Sequence, residues 1–210
     1  MDPRIDPQWA ESVRDIFATQ GRELTEVSDR SQIEEALLAD ASLDWALVSY
    51  LLDGPTDEVR AALHAAARAL LAVHALRGTS SALPVVRVDN DGLYVRPPAG
   101  DESLDSPERA RTAYHLAGAI QDPDLVAQAP WPGGPADEEE ALAALRSADH
   151  DRFLATLDQI LAQHARPIPD PRALVSVPAL GLAGRARARG LVRADELPVN
   201  PALPLDLLGP

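Results

Sequence analysis

The chain has 210 residues, of which 46% are hydrophobic and 25% charged, a composition typical of globular proteins. Its 33 acidic residues against 19 arginines give a formal net charge of −14, which would repel a phosphate backbone and excludes a nucleic-acid partner. Cysteine is absent, which excludes disulfides, thiolate catalysis and cysteine-based zinc sites.

The sequence also gives no sign of export or of membrane insertion. No apolar run reaches the length that a membrane-spanning helix needs. The segment Met1–Pro7 lacks the basic-then-apolar order of a secretory signal, so we expect a cytoplasmic protein with no membrane partner. Lysine is absent while alanine, leucine, glycine and proline are abundant, which indicates a high-GC bacterial genome.

Helical periodicity dominates the first third of the chain. A first helix is predicted to begin at Pro7 and to end at Gly21. Residues 31–34 (Ser-Gln-Ile-Glu) have the form of a capping box and predict a second helical region, which polar residues at 40–42 could interrupt. A third helix is predicted over about residues 57–77.

The signals at the ends of the third helix are local ones. Thr56 is expected as its N-cap, and Gly78 as the left-handed residue that follows its end. The alanine-rich interior of this helix indicates close packing against other helices.

A change to period-two patterning predicts one short β-hairpin near residues 84–96. Two runs of β-branched residues flank the turn signal Asp-Asn-Asp-Gly at 89–92. Because an isolated hairpin is marginally stable in water, we expect it to lie against the helices.

Five further features follow along the chain. Ser106-Pro107 predicts a helix start, with Asp122-Pro123 as the end of that helix. The Pro/Gly-rich segment 129–135 excludes regular structure. Three more helices are predicted after it. One begins with the acids at 137–140, and a second covers about residues 149–165. The third starts at Asp170-Pro171 and bends or breaks at Pro178.

These elements predict a mainly α protein, a single-domain helical bundle with one short β-hairpin. Within it, residues 1–30 form an N-terminal helix and linker, and residues 31–196 form the main body. The apolar, proline-rich tail 197–210 is expected to pack on that body in an extended form.

No motif predicts a catalytic, cofactor-binding or metal-binding site. The histidines lack the spacing of a metal-ligand pair, and His115 shares a helix face with Arg111, which predicts a solvent-exposed position. The Gly181-x-x-Gly184 pair has no lysine after it and indicates a close approach of two backbones instead of a phosphate loop. An arginine stripe at 185–193 either binds a partner or balances nearby acids and the helix end.

One cluster is a candidate for binding a protein partner. The candidate residues are Trp131, Asp137, Glu138, Glu139 and Glu140. Tryptophan is a frequent anchor in protein interfaces, and a group of acids steers a basic partner. The alternative is that Trp131 packs on its own protein while the acids form a solvated helix face.

The C-terminal third resembles a known family. The order Arg-Ala-Leu-Val-Ser-Val-Pro-Ala-Leu-Gly-Leu-Ala at 172–183, then Arg189-Gly190 and a Leu-Pro-containing tail at 197–208, is similar to the immunity protein 49 family of bacterial polymorphic toxin systems. The order of mid-chain elements agrees, so the similarity covers about residues 30–208. The resemblance implies a cytoplasmic, mostly helical, non-catalytic protein that neutralises a secreted toxin.

We therefore expect an immunity protein that occludes a cognate, basic toxin domain. Clustered carboxylates would raise the rate of its association with such a partner. One alternative is a helical enzyme whose pocket combines His64, His74, Tyr114 and His115, because distant residues leave no local motif. The other alternative is a non-catalytic helical scaffold.

Overall fold

The computed structural model describes residues 7–28, 30–76, 86–89, 92–95, 104, 106–164 and 175–209. These residues contain eight α-helices, two short strands and two 3₁₀ turns at Ala194–Glu196 and Leu205–Leu207. The helices are α1 Pro7–Thr25, α2 Gln32–Leu51, α3 Thr56–Ala75, α4 Pro107–Ile120, α5 Pro123–Gln128, α6 Ala136–Ser147, α7 His150–His164 and α8 Val177–Ala188. The strands are β1 Val86–Asp89 and β2 Gly92–Val95.

The capping box predicted before α2 is confirmed. Ser31 Oγ accepts a hydrogen bond from the Glu34 backbone, while Ser31 N donates to Glu34 Oε2 at 2.8 Å. The interruption considered at 40–42 is wrong, because α2 continues to Leu51 with Ala39 and Ala41 buried. Helix packing over this length outweighs the weak local preference of the polar residues.

Two predicted helix boundaries are also wrong. The first helix passes through Gly21 and ends at Thr25, since one glycine costs a helix only about 1 kcal/mol. Thr56 lies inside the first turn of α3, and Pro55 occupies the cap position without a side-chain hydrogen bond. The expected role of Gly78 lies outside the described residues.

The fold-class prediction is wrong in giving the bundle a β-hairpin component. The described core is built by helices and by the C-terminal segment, so the packed body is all-α. The two strands pair antiparallel with each other, in the register Val86 to Val95, and neither makes an extensive contact with a described helix. The expectation that they lie against the helices stays a prediction. A ribbon of four residues a side offers too little surface to form a layer of the core.

The helix that Ser106 was predicted to cap is confirmed. Ser106 Oγ accepts from the Arg109 backbone, and Pro107 occupies the first turn of α4. Asp122 does more than end this helix, because Asp122 Oδ1 accepts from the backbone of Asp124 at 2.8 Å and thereby caps α5. This short helix was not predicted from the sequence.

The predicted bend at Pro178 is wrong, and the alternative, a break in a helix that starts at Asp170, lies outside the described residues. Helix α8 begins at Val177 after an N-cap at Ser176, so the proline lies in the first turn, where its missing N–H costs no helical hydrogen bond. The helix start predicted at Asp170 lies outside the described residues.

The C-terminal segment 197–209 packs on the helices. Its buried residues are Leu197, Ala202, Leu203, Pro204, Leu207, Leu208 and Gly209. Arg60 of α3 holds the end of this segment, because its Nη2 donates to the carbonyl oxygens of Asp206 and Leu208, each at 2.6 Å. The division of the chain into 1–30, 31–196 and 197–210 stays a prediction.

Helices α4 and α8 cross at backbone contact. A Cβ atom added at Gly184 would overlap the carbonyl group of Gly118, and one added at Gly181 would overlap the backbone of His115. A Cβ at Gly118 would lie 2.5 Å from the Gly181 carbonyl oxygen. The interpretation that Gly181 and Gly184 allow two backbones to approach is therefore confirmed.

A glycine-to-alanine substitution should have opposite effects on stability at Gly184, which lies in this crossing, and at Gly21, which lies in α1 outside it. Gly184→Ala should lower the free energy of unfolding by about 1–3 kcal/mol, because the methyl group meets rigid backbone. Gly21→Ala should raise it by about 0.5–1 kcal/mol, since nothing lies within 4 Å of the added atom. Urea unfolding of both variants measures the difference, and an unchanged Gly184→Ala midpoint would contradict the close crossing.

Candidate functional site

The indole of Trp131 packs on the protein's own helix α4. Its ring centroid lies 4.9 Å from that of Tyr114 and 5.6 Å from that of His115, edge to face in both pairs. Trp131 Nε1 donates a hydrogen bond to Glu139 Oε1 at 2.7 Å. The irregular segment 129–135 is thus held between α4 and α6 by this side chain.

His115 and Glu138 form a buried pair between α4 and α6. His115 Nε2 lies 2.9 Å from Glu138 Oε2, and the two residues are only 1% and 8% exposed. Burial lowers the pKa of His115 below its usual value, although the Glu138 carboxylate acts in the opposite direction. We therefore assign a neutral imidazole whose Nε2 donates to Glu138. Its Nδ1 is a buried acceptor without a hydrogen-bond partner among the described residues.

The prediction that His115 is solvent-exposed is wrong. Helix α8 covers this residue, and the absence of a side chain at Gly181 lets the two backbones touch there. The signal in the sequence was Gly181-x-x-Gly184, which indicated a close helix contact but did not identify the second helix. Nothing local linked His115 to Glu138, which lies 23 residues further along the chain.

Arg185 of α8 contacts the same group of side chains through the ring of Tyr114. Its guanidinium carbon lies 3.6 Å from the centre of the Tyr114 ring, a cation–π contact. Arg185 Nη2 also donates to the Tyr114 carbonyl oxygen at 2.9 Å. Burial lowers the pKa of Arg185, a residue that nonetheless stays charged. Arg185 is therefore used within the fold, whereas Arg193 lies exposed and pairs with Asp195 at 3.1 Å.

The other two acids of the predicted cluster lie toward solvent. Asp137 Oδ1 accepts from the Glu138 backbone at 3.0 Å, in the first turn of α6. Glu140 Oε1 pairs with Arg152 Nε at 2.5 Å, and this hydrogen bond lowers the pKa of Glu140. Asp137 and Glu140 border a shallow hollow of about 450 Å³ between α6 and α7.

The structure thus divides the five predicted binding residues into two groups. Trp131, Glu138 and Glu139 are occupied by contacts with α4 or with one another. Asp137 and Glu140 are partly exposed at the hollow, Glu140 in its ion pair with Arg152. A partner-binding role for the five residues stays a prediction.

Helices α6 and α7 together carry a strong excess of negative charge. Residues 136–164 contain seven acids and two arginines. Beyond the predicted cluster, Asp149, Asp151 and Asp158 are all exposed. We call these three residues, together with Asp137 and Glu140, the acidic face.

The residues suggested for an enzyme pocket have separate surroundings. His64 Nε2 lies 3.1 Å from Asp122 Oδ2, beside a cavity of about 370 Å³. His74 is exposed, and His115 pairs with a carboxylate of α6. Neither this cavity nor a larger one that His64 also borders is lined by His74, Tyr114 or His115.

Searches for a metal site, a membrane span and similar proteins all gave negative results. Within the described ranges, no group of three His, Cys, Asp or Glu side chains could hold a metal ion. In those same parts of the chain, no helix combines the length and the apolarity needed to cross a bilayer. No protein-family model, curated protein or solved structure matches the chain, so the resemblance to the immunity protein 49 family stays a prediction.

The buried imidazole predicts a pH-dependent loss of stability. His115 takes up a proton near pH 6.5 in the unfolded chain but resists protonation in the native one, so acidification favours unfolding. Between pH 7 and pH 5.5, the wild type should lose up to about 1.4 kcal/mol per pH unit relative to His115→Gln. Urea unfolding at a series of pH values measures this difference.

His150 provides a control of opposite sign. Its hydrogen bond to Asp151 raises the pKa of this exposed histidine, so protonation stabilises the native state. The stability of the wild type relative to His150→Gln should therefore increase as the pH falls through this range and decrease as it rises. Parallel pH profiles for the wild type and His115→Gln would contradict the assignment of a neutral buried imidazole.

Proposed function

We propose that this chain is an immunity protein that binds a cognate secreted toxin domain and occludes its active or substrate-binding surface. The single observation that carries the proposal is the acidic face of α6 and α7. It presents carboxylates on two packed helices, and the hollow between those helices is bordered by Asp137 and Glu140. The partner is a protein with a basic surface.

The proposed mechanism is electrostatic steering followed by surface occlusion. A group of like charges raises the local concentration of an oppositely charged partner and can increase association rates by about 10- to 1000-fold. A standard interface of about 1,200–2,000 Å² would then hold the complex. Four of the five residues of the acidic face lie on regular helices, and Asp149, in the turn between them, accepts a hydrogen bond from the Arg152 backbone. Their backbone positions are therefore already set before binding, and little ordering is required.

The sequence resemblance supports the same proposal from a different direction. The order of residues at 172–183 and in the tail is similar to that of the immunity protein 49 family, which implies a cytoplasmic protein that protects the cell producing the toxin. Neutralisation by occlusion needs no catalytic group on the immunity protein. It needs a stable surface that the toxin recognises.

Co-expression tests the class of function. The toxin domain encoded beside this chain's gene should kill a bacterial host when expressed alone, and co-expression of the chain should restore colony formation. A gene neighbourhood without a toxin, or a toxin that kills equally in both cases, would contradict the proposal.

Charge variants test the surface. Replacing two carboxylates in Asp137→Asn/Glu140→Gln should slow association with the toxin domain by about threefold or more at low salt, and added salt should reduce the difference. The matched control Glu11→Gln/Asp15→Asn removes the same charge from exposed positions on α1. Stopped-flow association measures both rates. Equal slowing by the two variants would reject the acidic face as the binding surface.

A further inference from the structure

A groove of about 920 Å³ lies between α1, α2 and α3, apart from the acidic face. It exists because α1 packs on α2 without an extensive contact with α3. Its volume lies within the range of small-molecule sites, and its mainly apolar lining with a few charged groups is typical of such sites. Helix α3 contributes chiefly alanines to the lining: Ala61, Ala62, Ala65, Ala69 and Ala72.

The groove has one apolar end and one polar end. Gln32 Nε2 donates to the Val73 carbonyl oxygen at 3.1 Å, which fixes α2 and α3 in an antiparallel register. Trp45 therefore lies toward the turn that joins α2 to α3, whereas Glu35 lies at the opposite end. On α1, Phe17 is the lining residue farthest from the C-terminal end of that helix, which leads into α2. Trp45 follows Glu35 by ten positions on α2, so the two ends are about 15 Å apart.

The charges at the polar end favour an anion. Arg30 Nε pairs with Glu35 Oε1 at 2.8 Å, so these two charges compensate each other. Arg22, Arg68 and Glu26 also line the groove, which leaves it with an excess of one positive charge. Arg68 is exposed and has no hydrogen-bond or ion-pair partner among the described residues. On a chain of net charge −14, this lining is unusual and complementary to a negative group.

The length of the groove suits an extended, chain-like occupant. The groove offers about 920 Å³ along a length of about 15 Å. About 15 Å is also the length of an extended medium-chain fatty acid, whose alkyl chain can lie along the apolar lining.

We propose that this groove binds a single-chain amphiphile with an anionic head group, of which dodecanoate is the simplest example. The alkyl chain lies over the alanines of α3 toward Phe17 and Trp45, where its burial supplies the affinity. The carboxylate lies at the polar end, within reach of Arg68.

Calorimetric titration of the full chain tests the ligand class. Dodecanoate, below its micelle concentration, should bind with a stoichiometry of one, and dodecyltrimethylammonium should bind at least tenfold more weakly because its head group is cationic. Decanoate lacks two methylene groups and should bind more weakly than dodecanoate by up to about 15-fold. Absence of saturable dodecanoate binding, or equal binding of the cation, would overturn the proposal. A groove that instead accepts a helix of a partner protein would show no saturable dodecanoate binding.

Substitutions in the groove, with one control outside it, test the location. Arg68→Gln should weaken dodecanoate binding about three- to fivefold, whereas Arg146→Gln, at an exposed position on α6, should leave it unchanged. Ala65→Leu should fill the groove and weaken binding at least tenfold. If circular dichroism shows that Ala65→Leu is unfolded, Ala61→Leu at an exposed position makes the same test. Unchanged affinity in the folded groove variant, or equal affinity in Arg68→Gln and Arg146→Gln, would overturn the proposal.

Discussion

The close crossing of α4 and α8 is the constraint on which the candidate site depends. Three glycines, Gly118, Gly181 and Gly184, bring the two backbones into direct contact. This contact buries His115 and brings Arg185 onto the ring of Tyr114. Interiors are close-packed, so the position of one side chain in this cluster restricts that of the next.

The buried histidine in turn determines how the acidic run at the start of α6 is used. A carboxylate inside a protein is costly unless a polar partner compensates it, and His115 supplies that partner for Glu138. Glu139 is likewise engaged, by the indole of Trp131. A run of four successive acids is therefore divided by helical geometry into two that fasten α6 to the body and two, Asp137 and Glu140, that face solvent.

The sequence predicted what local chemistry determines and missed what distant residues determine together. The caps at Ser31 and Ser106 were predicted because a cap and its partner lie within three residues of each other. The continuation of α1 past Gly21 was not predicted, since packing on α2 overrides a single unfavourable residue. In the candidate site, Trp131 and the acids were identified as a group by their types. The inward position of Glu138 depends on His115, and no short pattern connects two residues on different helices.

The acidic face and the groove have opposite electrostatic character and rest on different helices. The face belongs to α6 and α7, which pack on each other and on α8, whereas the groove belongs to α1, α2 and α3. Helix α1 is the groove wall least tied to the core, because α2 is the only described element with which it makes an extensive contact. A ligand that bridges α1 and α3 would therefore add contacts where the fold has few, and would stabilise α1 without altering the glycine crossing that positions the acidic face. Binding in the groove and binding at the acidic face are, on this architecture, separate events that need not compete.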